Sequence, residues 1–129
     1  MKINNENILE INGAITNPDL SASLNLKPVW LGEVAIAAIQ IVFTGTAPTG
    51  TFKLQASCDK GNPKASSETQ QYAGVSNWTD VSSSSQAVTD AGNLLWNIAD
   101  PGYQWVRVVW TRASGTGNIT VARCTTKGV

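Results

Sequence analysis

Apolar and polar residues alternate with a period of two along most of this chain, and that period belongs to β-strands rather than helices. Through residues 103–112 it sets Val106, Val108 and Trp110 on one face and Tyr103, Trp105, Arg107, Val109 and Thr111 on the other. Through residues 51–58 it sets Phe52, Leu54, Ala56 and Cys58 against Thr51, Lys53, Gln55 and Ser57. Leu94, Trp96 and Ile98 share one face, as do Leu20, Ala22, Leu24 and Leu26. The alanine-rich start of residues 34–43 permits a helix, but the β-branched end favours a central strand with Ile39, Ile41 and Phe43 inward. The pattern predicts a core of Ile39, Ile41, Phe43, Phe52, Leu54, Trp96, Val106, Val108 and Trp110.

Turn residues punctuate these runs. Ala113-Ser114-Gly115-Thr116-Gly117-Asn118 lies between two β-branched stretches and reads as the turn of a hairpin joining 103–112 to 119–126. Residues 45–50, with Pro48, read as another turn, as does Asp100-Pro101-Gly102. Asn12-Gly13 is a strong two-residue hairpin signal, pairing residues 8–11 with 14–16, before Asn17-Pro18-Asp19 breaks the chain. Residues 1–7 are polar and predict a flexible N-terminal arm, and the serines at 82–85 a flexible link. Residues 59–76 are polar and longer than an ordinary connection, which predicts either a functional loop or a disordered one. About eight short strands and no convincing amphipathic helix predict an all-β fold. Residues 8–129 would form a single antiparallel β-sandwich, with a jelly roll as one form it can take.

Composition narrows the function. Nine basic and nine acidic residues in 129 cancel, so the chain lacks the electrostatic footprint of a nucleic-acid binder. Only 14% of residues are charged, which leaves a neutral surface of Ser, Thr, Asn and Gly. There is no histidine, so the commonest general base and the usual zinc ligand are both missing. No apolar run approaches the roughly 20 residues of a membrane-spanning helix, and the N-terminus has no apolar signal-peptide core. The expectation is a protein made and kept inside a cell, or released by lysis, with Cys58 and Cys124 as reduced, buried thiols.

Candidate chemistry is sparse. Asp59, Asp80, Asp90 and Asp100 fall at strand ends, where aspartates cap backbone donors far more often than they catalyse. Asp59-Lys60-Gly61-Asn62 has a superficial likeness to part of a calcium loop but lacks the regular acidic spacing. No catalytic, metal or cofactor site is expected. The face of Tyr103, Trp105 and Arg107 is more informative, because large aromatics around one arginine are unusual for a solvated strand face. Three readings are open. The aromatics pack under a neighbouring loop while Arg107 reaches out, or the face is a subunit contact, or Trp105 with Tyr72 and Trp78 offers stacking platforms to a sugar.

The second half of the chain resembles small structural proteins of tailed bacteriophages and prophages. The resemblance lies in 50–59 (ending Ser57-Cys58-Asp59), in Asn77-Trp78-Thr79-Asp80-Val81, in 91–98, and in 102–112 running into Ser114-Gly115-Thr116-Gly117. It covers roughly residues 39–127 and is a pattern of strands and turns, not a catalytic motif. It implies a virion component of the decoration, fibre or connector kind, assembled in the host cytoplasm. Such a component has no enzymatic activity, forms a homo-oligomer and binds other virion proteins. A glycan-binding module recognising a host surface is the alternative.

Overall fold

Two strands of 24 residues each organise the molecule: β6 (Val34–Ser57) and β10 (Trp105–Gly128), antiparallel along their whole length. The computed structural model describes residues 3–15 and 18–128. Around the long pair lie β1 (Ile3–Asn7), β2 (Glu10–Ile11), β3 (Ala14–Ile15), β4 (Leu24–Asn25), β5 (Val29–Trp30), α1 (Glu68–Tyr72), β7 (Thr79–Asp80), β8 (Gln86–Val88) and β9 (Gly92–Ala99).

Both long strands change neighbours half-way. The first half of β6 pairs with β9 and with the second half of β10, whose far side takes β1. The second half of β6 pairs with β7, β8 and the first half of β10, whose far side takes β4 and β5. Taking β4 with β5 and β7 with β8 as two interrupted edge strands gives eight segments in two four-stranded sheets. In chain order they run 1-8-3-6 and 2-7-4-5, the connectivity of a jelly roll. The all-β sandwich expected from the alternation is therefore the fold.

The predicted core is also the observed one. All of Ile39, Ile41, Phe43, Phe52, Leu54, Trp96, Val106, Val108 and Trp110 are buried in a single cluster between the sheets. Phe43, Phe52 and Trp110 pack in a row with tilted rings, their centroids 5.1 and 4.5 Å apart. Trp110 donates its indole N–H to the Leu20 carbonyl and Trp96 to that of Ser84, so neither buried indole is unsatisfied.

Several expectations are corrected. Residues 113–118 and 45–50 are not turns, because they lie opposite one another inside β10 and β6. There the register shifts, Ala47 and Pro48 drop out of the ladder, and both strands bend from one sheet into the other. The crossing is tight. A Cβ on Gly45 would sit 2.1 Å from the Thr116 carbonyl oxygen, and one on Gly115 (φ +79) 2.0 Å from that of Ala47. Ile3–Asn7 is not a loose arm but an edge strand paired with the end of β10, held by backbone bonds that no side-chain pattern announces. Ala22 is exposed, since the chain turns at Ser21 before β4. Within 82–85, Ser84 is buried: its hydroxyl donates to the Val81 carbonyl and accepts from the Leu54 amide. The Asn12-Gly13 hairpin is present between β2 and β3, with positive φ at both residues as such a turn requires. Thr16 and Asn17 lie outside the described residues.

Candidate functional site

The outward face of the second sheet is partly roofed by residues 59–76. This segment is ordered by its own hydrogen bonds. Asp59, just past the end of β6, accepts from the Ser76 and Asn77 amides at 2.8 and 2.9 Å and from the Asn77 side chain at 3.0 Å. Those donors, Asn77's side chain foremost, lower its pKa to about 2. Asn62 and Gln71 tie the two limbs of the loop together, and Ser67 caps α1 through the Gln70 amide.

A second set of contacts anchors α1 to the start of the chain. Asn12 and Glu68 exchange bonds, the Asn12 amide donating to the Glu68 carboxylate and the Glu68 amide to the Asn12 side-chain oxygen. Lys27, only 7% exposed, pairs with both Glu6 and Glu68. Burial opposes its charge, but the two carboxylates outweigh burial and leave its pKa above the ordinary lysine value. Nothing in the sequence flagged this cluster, because its members come from four separated stretches of chain.

Under the roof lies Trp105, 1% exposed. Its indole N–H donates to the Lys60 carbonyl at 3.4 Å, Tyr72 meets it edge-on at 6.5 Å, and Gly61 lies close against the Nε1–Cζ2 edge of the ring. Two residues along β10, Arg107 emerges beside the roof. Its guanidinium stands 4.3 Å over the Trp78 ring, and Nε and Nη2 both donate to the Gln55 side-chain oxygen at 3.1 and 2.7 Å. Gln55 in turn donates to Asp80, which also pairs with Lys53 at 2.9 Å. Gln55 and Lys53 hold the Asp80 pKa below the carboxylate norm, and burial lowers that of Arg107.

Two hollows flank this arrangement. One, of about 240 Å³, is lined by Lys27, Tyr72, Val75, Trp78 and Arg107 among others. The other, of about 620 Å³, lies between Tyr103, Cys58, Asp59 and the 79–82 edge. The three residues expected to share one contact face are thus separated: Tyr103 lines the larger cleft, Arg107 the smaller hollow, and Trp105 is enclosed by its own chain. The strand alternation placed Trp105 off the sandwich core correctly, but it could not show that 59–76 folds back over it. Of the sugar-platform residues, Tyr72 and Trp78 share the smaller hollow and Trp105 lies beneath. Cys58 is exposed rather than inward, because β6 ends at Ser57 and the alternation stops there. Cys124 is buried, and burial pushes its thiol pKa up to about 12. Among the described residues no group of three or more His, Cys, Asp or Glu is placed to hold a metal, and no helix is long and apolar enough to cross a membrane.

No protein-family model and no curated protein matches this sequence. Among solved structures, the chain is similar to the SPBc2 prophage-derived protein YomS, with a TM-score of 0.51 over 97% of this chain and 92% of that one. Identity is 7%, so the likeness is one of fold.

Proposed function

We propose that the chain is a structural protein of a phage particle, a decoration, head-fibre or tail component. It acts by assembling with copies of itself and with other virion proteins. The observation that carries this reading is the shared sandwich, which extends over nearly the whole length of both this chain and a prophage-derived protein. The surface chemistry supports it. Among the described residues Arg107 has no carboxylate partner, and with Trp78 it presents the residue types most enriched at binding hot spots. We assign the Trp78–Arg107 ledge and the neighbouring Tyr103 cleft to contacts with other subunits, with Trp105 as their buried support. The sugar reading has less behind it, since one of its three aromatics is enclosed and Arg107 covers the Trp78 ring.

The test is composition. Particles banded on a density gradient from a lysate of the source organism should contain the chain at a constant ratio to the major capsid protein. Recovery of the chain solely in the particle-free fraction would overturn the reading.

A further inference from the structure

The four outer edges of the sandwich are not alike. Natural sheets guard their edges with charge, proline, interruption or shortness, because an open strand is a template for pairing. Here β4 and β5 are two-residue pieces separated by Lys27 and Pro28. Likewise β7 and β8 are short, interrupted and carry Asp80. β1 has five residues, one of them Glu6. β9 has none of these devices. It runs unbroken for eight residues, Gly92-Asn93-Leu94-Leu95-Trp96-Asn97-Ile98-Ala99, with no charge and no proline. Among the described residues it pairs with β6 alone, and Leu95 stands 63% exposed on its outer face.

We propose that β9 pairs antiparallel with β9 of a second copy, continuing the sheet across a two-fold axis. This deepens the assembly reading above and rests on it for its purpose. Register follows from parity. Opposite residues of an antiparallel pair point to the same side, so a two-fold contact between identical strands must be centred on a residue, not between two. Centred on Leu95, the outer row sets Leu95 against Leu95 and Asn93 against Asn97, whose amides can bond each other. The inner row sets Leu94 against Trp96. That placement covers Leu94, which the open edge of the sandwich leaves half-buried against the core. No like charges meet within the paired run, and the flanking Asp90 and Asp100 meet only beyond its ends, in solvent. One strand pair buries less than the ~800 Å² per partner of a standard interface, so the contact should be of micromolar strength, suited to addition on a growing particle.

Sedimentation velocity of the whole chain from about 5 to about 300 µM should show a monomer–dimer equilibrium. Leu95→Lys opposes two charges at the axis and should weaken it about tenfold or more, while the circular dichroism and melting curve recorded at submicromolar concentration, where both chains are monomers, stay unchanged, since Leu95 is exposed. In a Cys58→Ser background, Leu95→Cys should form a disulfide-linked dimer on mild oxidation, and Ser21→Cys, an exposed site off this edge, should not. A wild-type monomer throughout the range, or a dimer indifferent to Leu95→Lys, overturns the β9 contact. The failures separate: a monomeric chain found in particles removes this contact alone, and a dimer missing from particles removes the virion reading alone.

Discussion

Trp105 and Trp110 are equally hidden but do different work. Trp110 is 0% exposed between the sheets, packed at a tilt against Phe52 and bonded to the Leu20 carbonyl. Trp110→Ala should therefore cost the whole fold about 3–5 kcal/mol, the usual range for a buried large aromatic, measured by chemical denaturation. Trp105 seals only the roof. Trp105→Ala should lower the melting temperature less but free residues 59–76, so that trypsin cuts after the exposed Lys60 and Lys64 much faster than in the parent chain. Equal loss of global stability in the two variants, with no gain in cleavage, would mean that the roof is part of the cooperative core. The sequence distinguished these tryptophans only as far as strand alternation reaches. It assigned Trp110 inward and Trp105 outward, both correctly for the sandwich. What covers an outward residue depends on where a distant loop lands, and 59–76 is placed by Asp59, Asn77, Asn12 and Lys27 acting across the chain.

At the scale of elements, alternation was legible wherever one strand face meets the core, as in β9, the second half of β6 and the first half of β10. Glycine clusters were legible as bends but not as the kind of bend. A Ser-Gly-Thr-Gly run between strands usually reverses the chain. Here the Ser-Gly-Thr-Gly run within 113–118 faces Gly-Thr-Ala-Pro-Thr-Gly at 45–50, and the two carry a pair of strands around a corner together. Each requires glycine because the other backbone passes so close. This gives a graded prediction. Gly13 has φ +83 with nothing near a Cβ, so Gly13→Ala meets backbone strain alone and should cost about 1 kcal/mol. Gly115 has a similar φ, but its Cβ would lie 2.0 Å from the Ala47 carbonyl oxygen, which cannot swing away as a side chain can. Gly115→Ala should cost about 3 kcal/mol or more. Equal losses in the two variants would show that the corner has slack and that conformation, not crowding, fixes Gly115. β1 illustrates the opposite limit: its sequence, Ile3-Asn4-Asn5-Glu6-Asn7, has no alternation to read, and a strand held by backbone bonds at an edge leaves no such trace.

For the whole molecule, the absence of histidine has a thermodynamic consequence. No side chain has an ordinary pKa between about 5 and 8. The shifted groups all lie outside that range. Asp59 falls to about 2 through Asn77 and Ser76, Asp80 is lowered by Gln55 and Lys53, and Asp19 by Ser21. Glu68 is lowered because Asn12 and Lys27 outweigh its burial. A carboxyl group with a depressed folded pKa contributes stability above its unfolded value, 3.8 or 4.5 here, and loses it as pH falls through the folded value. Lys27 is raised above 10.5 by its two glutamates against burial, and burial raises Tyr72 and Tyr103 above 10.0. Groups with raised folded pKa values hold their contribution below the unfolded value and lose it as pH climbs through the folded one. The melting temperature should therefore be flat from about pH 5 to about pH 9. It should decline in acid as Asp59 and its fellow carboxylates protonate. It should decline again from about pH 9, first because burial holds the Cys124 thiol, ordinarily 9.0, up at about 12 in the folded chain, and then as Lys27 and the tyrosines lose protons. Asp59→Asn should remove part of the acid limb and leave the alkaline limb in place. A step in melting temperature between pH 5.5 and 7.5 would contradict this assignment, because no side chain of this sequence is placed to produce it.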